Sequence, residues 1–115
     1  MAIDVKTLNE IIAKYVADVG NAFSVDRVFL FGSYTKGMQN EHSDIDICFF
    51  SRDFENLPLM EAMRALLKHT RRFKGFDIQP CGYPTSEIDN DNPFIKEVIR
   101  TGWELELPYK QQENN

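Results

Sequence analysis

Apolar and polar positions recur with two different periods along this chain, and the switches between them outline the fold. Leu8, Ile11, Ile12, Tyr15, Val16 and Val19 follow helical spacing. Thr7 ahead of them, with Glu10 three residues on, has the form of a capping box, and Gly20 is the expected stop. Val28-Phe29-Leu30-Phe31 is a short continuous apolar run of the kind a buried strand needs, and Ile45 to Phe50 reads as a second strand. Between them, Tyr34 to Gly37 is expected to form one helical turn. Pro58 suits the first turn of a further helix, with Leu59, Met60, Met63, Leu66 and Leu67 as its apolar face. Lys68, His69, Arg71 and Arg72 follow, where positive charge suits a helix C-terminus. Gly75 breaks the pattern and Phe76 to Cys81 reads as a third strand. Asn92-Pro93 opens a last helix carrying Phe94, Ile95, Val98 and Ile99, closed by Gly102, and Trp103 to Leu107 is expected as a short closing strand.

The order helix, strand, strand, helix, strand, helix predicts an α/β (α+β) domain: a small mixed sheet with helices packed mainly on one face. The 13 residues between the first two strands, Gly32 to Asp44, are too many for a tight hairpin. At 115 residues the chain has room for one domain, expected over residues 1–109, with a polar tail from Lys110 to Asn115. No internal repeat or low-complexity tract interrupts it.

Composition narrows the function. Thirteen basic and 18 acidic side chains give a net charge of −5, which argues against a protein that coats nucleic acid. It leaves a nucleotide substrate open, because a bound cation reverses the local sign. No apolar run approaches bilayer length, and Met1 to Lys6 lack a signal-peptide pattern, so the expected location is the cytoplasm, with no membrane contact. Cys48 and Cys81 read as small buried thiols rather than a disulfide, and neither has zinc-type spacing with His42 or His69.

The candidate chemistry is concentrated in Gly32 to Asp46, GSYTKGMQNEHSDID. Residues two apart on a strand share a face, so Asp44 and Asp46 should project side by side, roughly 7 Å apart at Cα. Adjacent carboxylates repel, and a divalent cation offsets that cost best. Gly32-Ser33 ahead of them offers backbone N–H groups and a hydroxyl, which suit a phosphate, although Ser33 would serve equally as a helix N-cap. Asp77 interrupts an apolar pattern at a strand start, where a carboxylate is costly unless solvated or paired. If the third strand lies beside the second, Asp77 joins Asp44 and Asp46 at one rim, around a site large enough for two Mg²⁺ ions. His42 reads as a solvated loop residue. Trp103 reads as core or partner surface. Lys68, His69, Arg71, Arg72 and Lys74 form a basic cluster that is either a solvated helix end or an electrostatic docking surface.

Gly32-Ser33, the ten residues Tyr34 to Ser43, and Asp44-Ile45-Asp46 together resemble the signature of the DNA polymerase beta-like nucleotidyltransferase superfamily. More narrowly, the chain resembles the minimal nucleotidyltransferases that serve as antitoxins in HEPN/MNT systems. The strand before Gly32, Gly37 in the loop, and Asn92-Pro93-Phe94-Ile95 match as well. The resemblance runs over about residues 7 to 107. It implies that Gly32 and Ser33 hold the triphosphate of ATP, that Asp44 and Asp46 ligate both metals, and that Asp77 contacts one metal and helps deprotonate the acceptor. Lys36 stands where these proteins often have arginine. Lysine keeps the charge for phosphate contact but not the bidentate fork.

The resemblance further implies a helical HEPN-domain toxin as partner, with AMP transferred from ATP to one of its tyrosines, in a homo-oligomer or a hetero-oligomer with the toxin. Two alternatives stay open at this level. One is an antitoxin that neutralises its toxin by binding alone; the other is a small-molecule, aminoglycoside-type nucleotidyltransferase.

Overall fold

The computed structural model describes residues 5–32, 35 and 44–107. Helix α1 spans Val5–Ala22, strand β1 Val25–Phe31, β2 Ile45–Ser51, helix α2 Leu59–Lys68, β3 Ile78–Pro84, helix α3 Pro93–Thr101 and β4 Trp103–Glu104. Short 3-10 turns cover Arg52–Phe54 and Thr85–Asp89. The strands form one mixed sheet in the order β3-β2-β1-β4. β1 runs antiparallel to both β2 and β4, and β2 runs parallel to β3.

The sheet has two apolar faces, and their coverings differ. On the first, Val28, Leu30, Ile45, Ile47, Phe49 and Ile78 pack with Leu8, Ile12, Tyr15, Val16 and Val19 of α1 and with Ala62 and Leu66 of α2. Tyr15 joins all three layers. Its ring meets Phe49 and Phe73 edge-on at 5.7 and 6.0 Å, and its hydroxyl donates to the Leu66 carbonyl at 2.8 Å. On the second face, Phe29, Cys48 and Phe50 pack with Ile95 and Val98 of α3. Two helices therefore cover one face and one covers the other.

Several expected details differ. α1 begins at Val5, so Thr7 lies inside it, and it passes through Gly20 to Ala22. The core contacts along α1 outweigh the cost of about 1 kcal/mol that a glycine imposes near a helix end. Pro58 sits at the N-cap rather than in the first turn, its carbonyl accepting from Glu61 and Ala62 N–H at 2.9 and 3.1 Å. α2 buries only Ala62 and Leu66, while Leu59, Met60 and Leu67 are exposed. Trp103 is exposed on the edge strand and is not part of the core. β1 and β3 are seven residues each, longer than the apolar runs that announced them. Cys48 and Cys81 are free thiols on directly paired positions of β2 and β3. Among the described residues no helix is long and apolar enough to cross a membrane. The expected Tyr34 to Gly37 turn and the tail from Lys110 lie outside the described residues, apart from Thr35.

Candidate active site

The parallel pairing of β2 with β3 builds the site. Ile45 pairs with Ile78, Asp46 with Gln79, Cys48 with Cys81 and Phe50 with Tyr83. Paired residues on neighbouring strands share a face. Along the face that carries α3, the ladder thus grades from polar to apolar. Asp46 stands beside Gln79, Cys48 beside Cys81, and Phe50 beside Tyr83, with ring centroids 6.3 Å apart in the last pair. Asp44 and Asp77 each precede the first paired residues and extend the ladder past the end of the sheet. The Ile45 N–H donates to the Asp77 carbonyl at 2.8 Å, which ties the two strand starts together. The pairing thus brings Asp77 to the same rim as Asp44 and Asp46.

The side chains interact directly. Contact with the Asp77 carboxyl group first, then lost hydration, then the charges of Asp77 and Asp46 push the Asp44 carboxyl above its usual range. Asp46 is half-buried, and burial first, then the charge of Asp77, raises its pKa too. A further hydrogen bond at this rim comes from Gln79, whose Nε2 donates to Asp77 Oδ1 at 2.6 Å. Sequence reasoning missed Gln79. Its two-residue spacing from Asp77 on a strand was the available signal.

Gly32 closes the site from β1. Phe31 pairs with Asp46, and the chain leaves β1 at Gly32 with φ +80°. That conformation disfavours any side chain, and a Cβ placed there would overlap the Asp46 carboxylate. The Gly32 carbonyl accepts from both the Thr35 N–H, at 3.1 Å, and the Thr35 hydroxyl, at 2.9 Å. Ser33, Lys36 and His42 lie outside the described residues.

Three carboxylates with no thiol or imidazole among them form a hard oxygen donor set of the kind Mg²⁺ takes. Among the described residues no three acidic, histidine or cysteine side chains stand close enough together to hold a metal ion as they are placed. A cation would relieve the repulsion that pushes Asp44 and Asp46 upward. The residues therefore fit a divalent cation in chemistry and in charge.

The basic cluster is not uniform. Arg72 is committed to the fold, pairing with Asp18 at 2.8 Å and lying over the Phe73 ring at 4.8 Å. Lys68 and Arg71 line a shallow recess of about 330 Å³ with Glu61, Arg64 and Ala65.

Comparison with known proteins gives the family and the fold. Residues 9–106 match the family model described as nucleotidyltransferase domain. The chain is 30% identical over 92 residues to MJ1379 of Methanocaldococcus jannaschii, named as a candidate protein adenylyltransferase, covering 80% of this chain and 87% of that one. Among solved structures it is similar to a chain of a mutant form of the toxin–antitoxin MntA-HpeT, with a TM-score of 0.56 and 24% identity over 91% of this chain and 76% of that one. It is also similar to a chain of a toxin–antitoxin crystal structure with AMP-PNP, with a TM-score of 0.55 and 23% identity over 90% and 77% of the two chains. At these identities the two structures speak for the fold. The family match spans most of the sequence, and the chain belongs to the nucleotidyltransferase domain family.

Proposed function

We propose that this protein is an Mg²⁺-dependent adenylyltransferase that moves AMP from ATP to a tyrosine hydroxyl of a HEPN-domain toxin, and so acts as an antitoxin. The observation that carries the reading is the meeting of Asp44, Asp46 and Asp77 at one rim beside the Gly32 turn. The protein adenylyltransferase name of MJ1379 supports a protein acceptor over a small molecule. The toxin–antitoxin assemblies among the structural neighbours support a toxin as that protein.

In the proposed reaction the acceptor oxygen attacks the α-phosphorus of ATP. A new O–P bond forms, the bond to the β-phosphate oxygen breaks, and pyrophosphate leaves. Asp44, Asp46 and Asp77 would hold Mg²⁺, which when bound neutralises charge on the phosphates and lowers the pKa of an attacking hydroxyl. Asp77, exposed at the strand start, takes part in removing the acceptor proton. Gly32 and Ser33 place the triphosphate, Gly32 because its missing side chain lets backbone approach closely. Lys36 adds positive charge to the phosphates. The acidic chain leaves stable nucleic-acid binding out of the reading.

The test is incubation of the purified protein with α-labelled ATP, Mg²⁺ and the HEPN-domain protein encoded beside it. Label on the toxin, mapped by mass spectrometry to a tyrosine and lost with EDTA, is the expected result. Absence of label with every ribonucleotide, while the protein still neutralises the toxin, would replace transfer by binding.

A further inference from the structure

Asp77 is anchored at its backbone and loosely held at its side chain. Its carbonyl is fixed by the Ile45 N–H, yet its carboxyl group lies exposed at the start of β3, the outer strand of the sheet. Among the described residues no strand pairs with β3 on its far side. Two described side chains reach Asp77. Asp44 lies against its carboxyl group, and Gln79 donates Nε2 to Oδ1 at 2.6 Å. The two neighbours act differently. Asp44 is a second acceptor of like charge and gives the carboxylate nothing to hold, whereas the amide is a donor that ties one of its oxygens.

Gln79 is well placed for this task. It lies two residues beyond Asp77, hence on the same face, and it is the register partner of Asp46. Among the described residues it is the only neutral side chain that donates a hydrogen bond to any of the three carboxylates. A glutamine amide adds a donor there without adding a charge that would compete with a cation.

We infer that Gln79 is a positioning residue: its amide holds the Asp77 side chain in the rotamer that completes the carboxylate site. The inference rests on the metal reading of Asp44, Asp46 and Asp77 given above. Gln79 itself touches neither nucleotide nor acceptor in this scheme and acts only through Asp77.

The test is a double-mutant cycle read by Mn²⁺ affinity, using calorimetry on the full chain in the presence of α,β-methylene-ATP. Gln79→Leu should weaken Mn²⁺ binding about ten- to a hundredfold, the size expected when a metal ligand loses its hydrogen-bond partner. Asp77→Ala should weaken it at least as much, and the double variant should lose no more than Asp77→Ala alone. Thermal unfolding of Gln79→Leu should match the parent, because the residue is exposed. Additive losses in the double variant, or Mn²⁺ affinity in Gln79→Leu equal to the parent's, would overturn the positioning role. Failure of the parent chain itself to bind Mn²⁺, or an Asp77→Ala variant that binds as well as the parent, would instead overturn the carboxylate site on which the inference rests.

Discussion

Aspartates occupy both ends of the β1-β2-β3 sheet, and the two ends treat them in opposite ways. At one end Asp26 lies next to the pairing of Val25 with Ser51. Its carboxylate accepts from the Arg52 guanidinium at 2.6 Å, the Arg52 N–H at 3.1 Å and the Thr85 hydroxyl at 2.6 Å. Burial alone would raise its pKa, but Arg52 and Thr85 outweigh that and hold the group below the usual carboxylate range. At the other end Asp44, Asp46 and Asp77 face one another with no described cation among them, and Asp44 and Asp46 are pushed upward. One cluster is neutralised from within the chain and staples β1 to the segments after β2 and β3. Among the described residues no basic side chain neutralises the other. A fold seldom keeps repelling carboxylates at a strand start unless a ligand offsets the cost.

The sharpest way to break this contrast is to remove charge at the repelling end. Asp46→Asn should lower AMP transfer by on the order of 10²–10³-fold, comparable to the loss of one preorganised electrostatic group in other active sites. In metal-free buffer at neutral pH the same variant should be as stable as the parent or more so, because a half-buried, repelled carboxylate becomes neutral. Paired measurements of labelled-AMP transfer and urea midpoint check both halves. A variant that loses stability and keeps activity would reverse the roles assigned to the two ends.

Asp26→Ala should do the converse. It takes the acceptor away from the part-buried Thr85 hydroxyl and the Arg52 N–H, while the Arg52 guanidinium, 72% exposed, stays hydrated. The expected cost is about 1–2 kcal/mol of unfolding free energy, with Mn²⁺ affinity unchanged. Chemical denaturation gives the first quantity and calorimetry the second.

Gly32→Ala tests whether the turn and the carboxylate are one unit. The φ of +80° alone should cost about 1–2 kcal/mol with an alanine. The added methyl must also displace the Asp46 carboxylate. Transfer should therefore fall by more than the stability loss explains, as measured by activity at a temperature where the variant remains fully folded.

How far these features were legible follows from their range in sequence. Gly32, Asp44 and Asp46 lie within 15 residues, and the strand period of two is enough to put both aspartates on one face. Asp77 was legible only on the condition that β3 joins β2, a long-range choice that periodicity does not make. Gln79 became visible only with its hydrogen bond. The Asp26 staple needed the register of β1 on β2 and the ends of β2 and β3 together, and no local pattern announced it. On α2, helical spacing marked an apolar face, but packing on the sheet used Ala62 and Leu66 and left Leu59, Met60 and Leu67 outside. Local periods name elements well. They do not say which neighbour an element will meet, and that decided the sides of α2, the exposure of Trp103 and the covering of both sheet faces.

The smallest expected effect is also the one in which the two ends oppose each other most directly. A carboxyl held below its unfolded pKa contributes stability at neutral pH, and that contribution is lost as pH falls through its folded value. Asp26 is in this class. A carboxyl raised above its unfolded pKa favours folding below the unfolded value, and that advantage is lost as pH rises through the folded one. Asp44 and Asp46 are in this class. The metal-free parent should therefore gain stability with rising pH below about pH 4, through Asp26, and lose it with rising pH above about pH 4, through the rim. Asp46→Asn should flatten the falling limb above about pH 4, and Asp26→Asn the rising limb below it. Mg²⁺ should stabilise the parent more at about pH 7 than at about pH 4.5, because at the lower pH protons compete for the same oxygens. Urea midpoints across pH for the parent and the two variants, with and without Mg²⁺, resolve these terms, and parallel profiles for both variants would show that the two ends do not differ in the way their surroundings require.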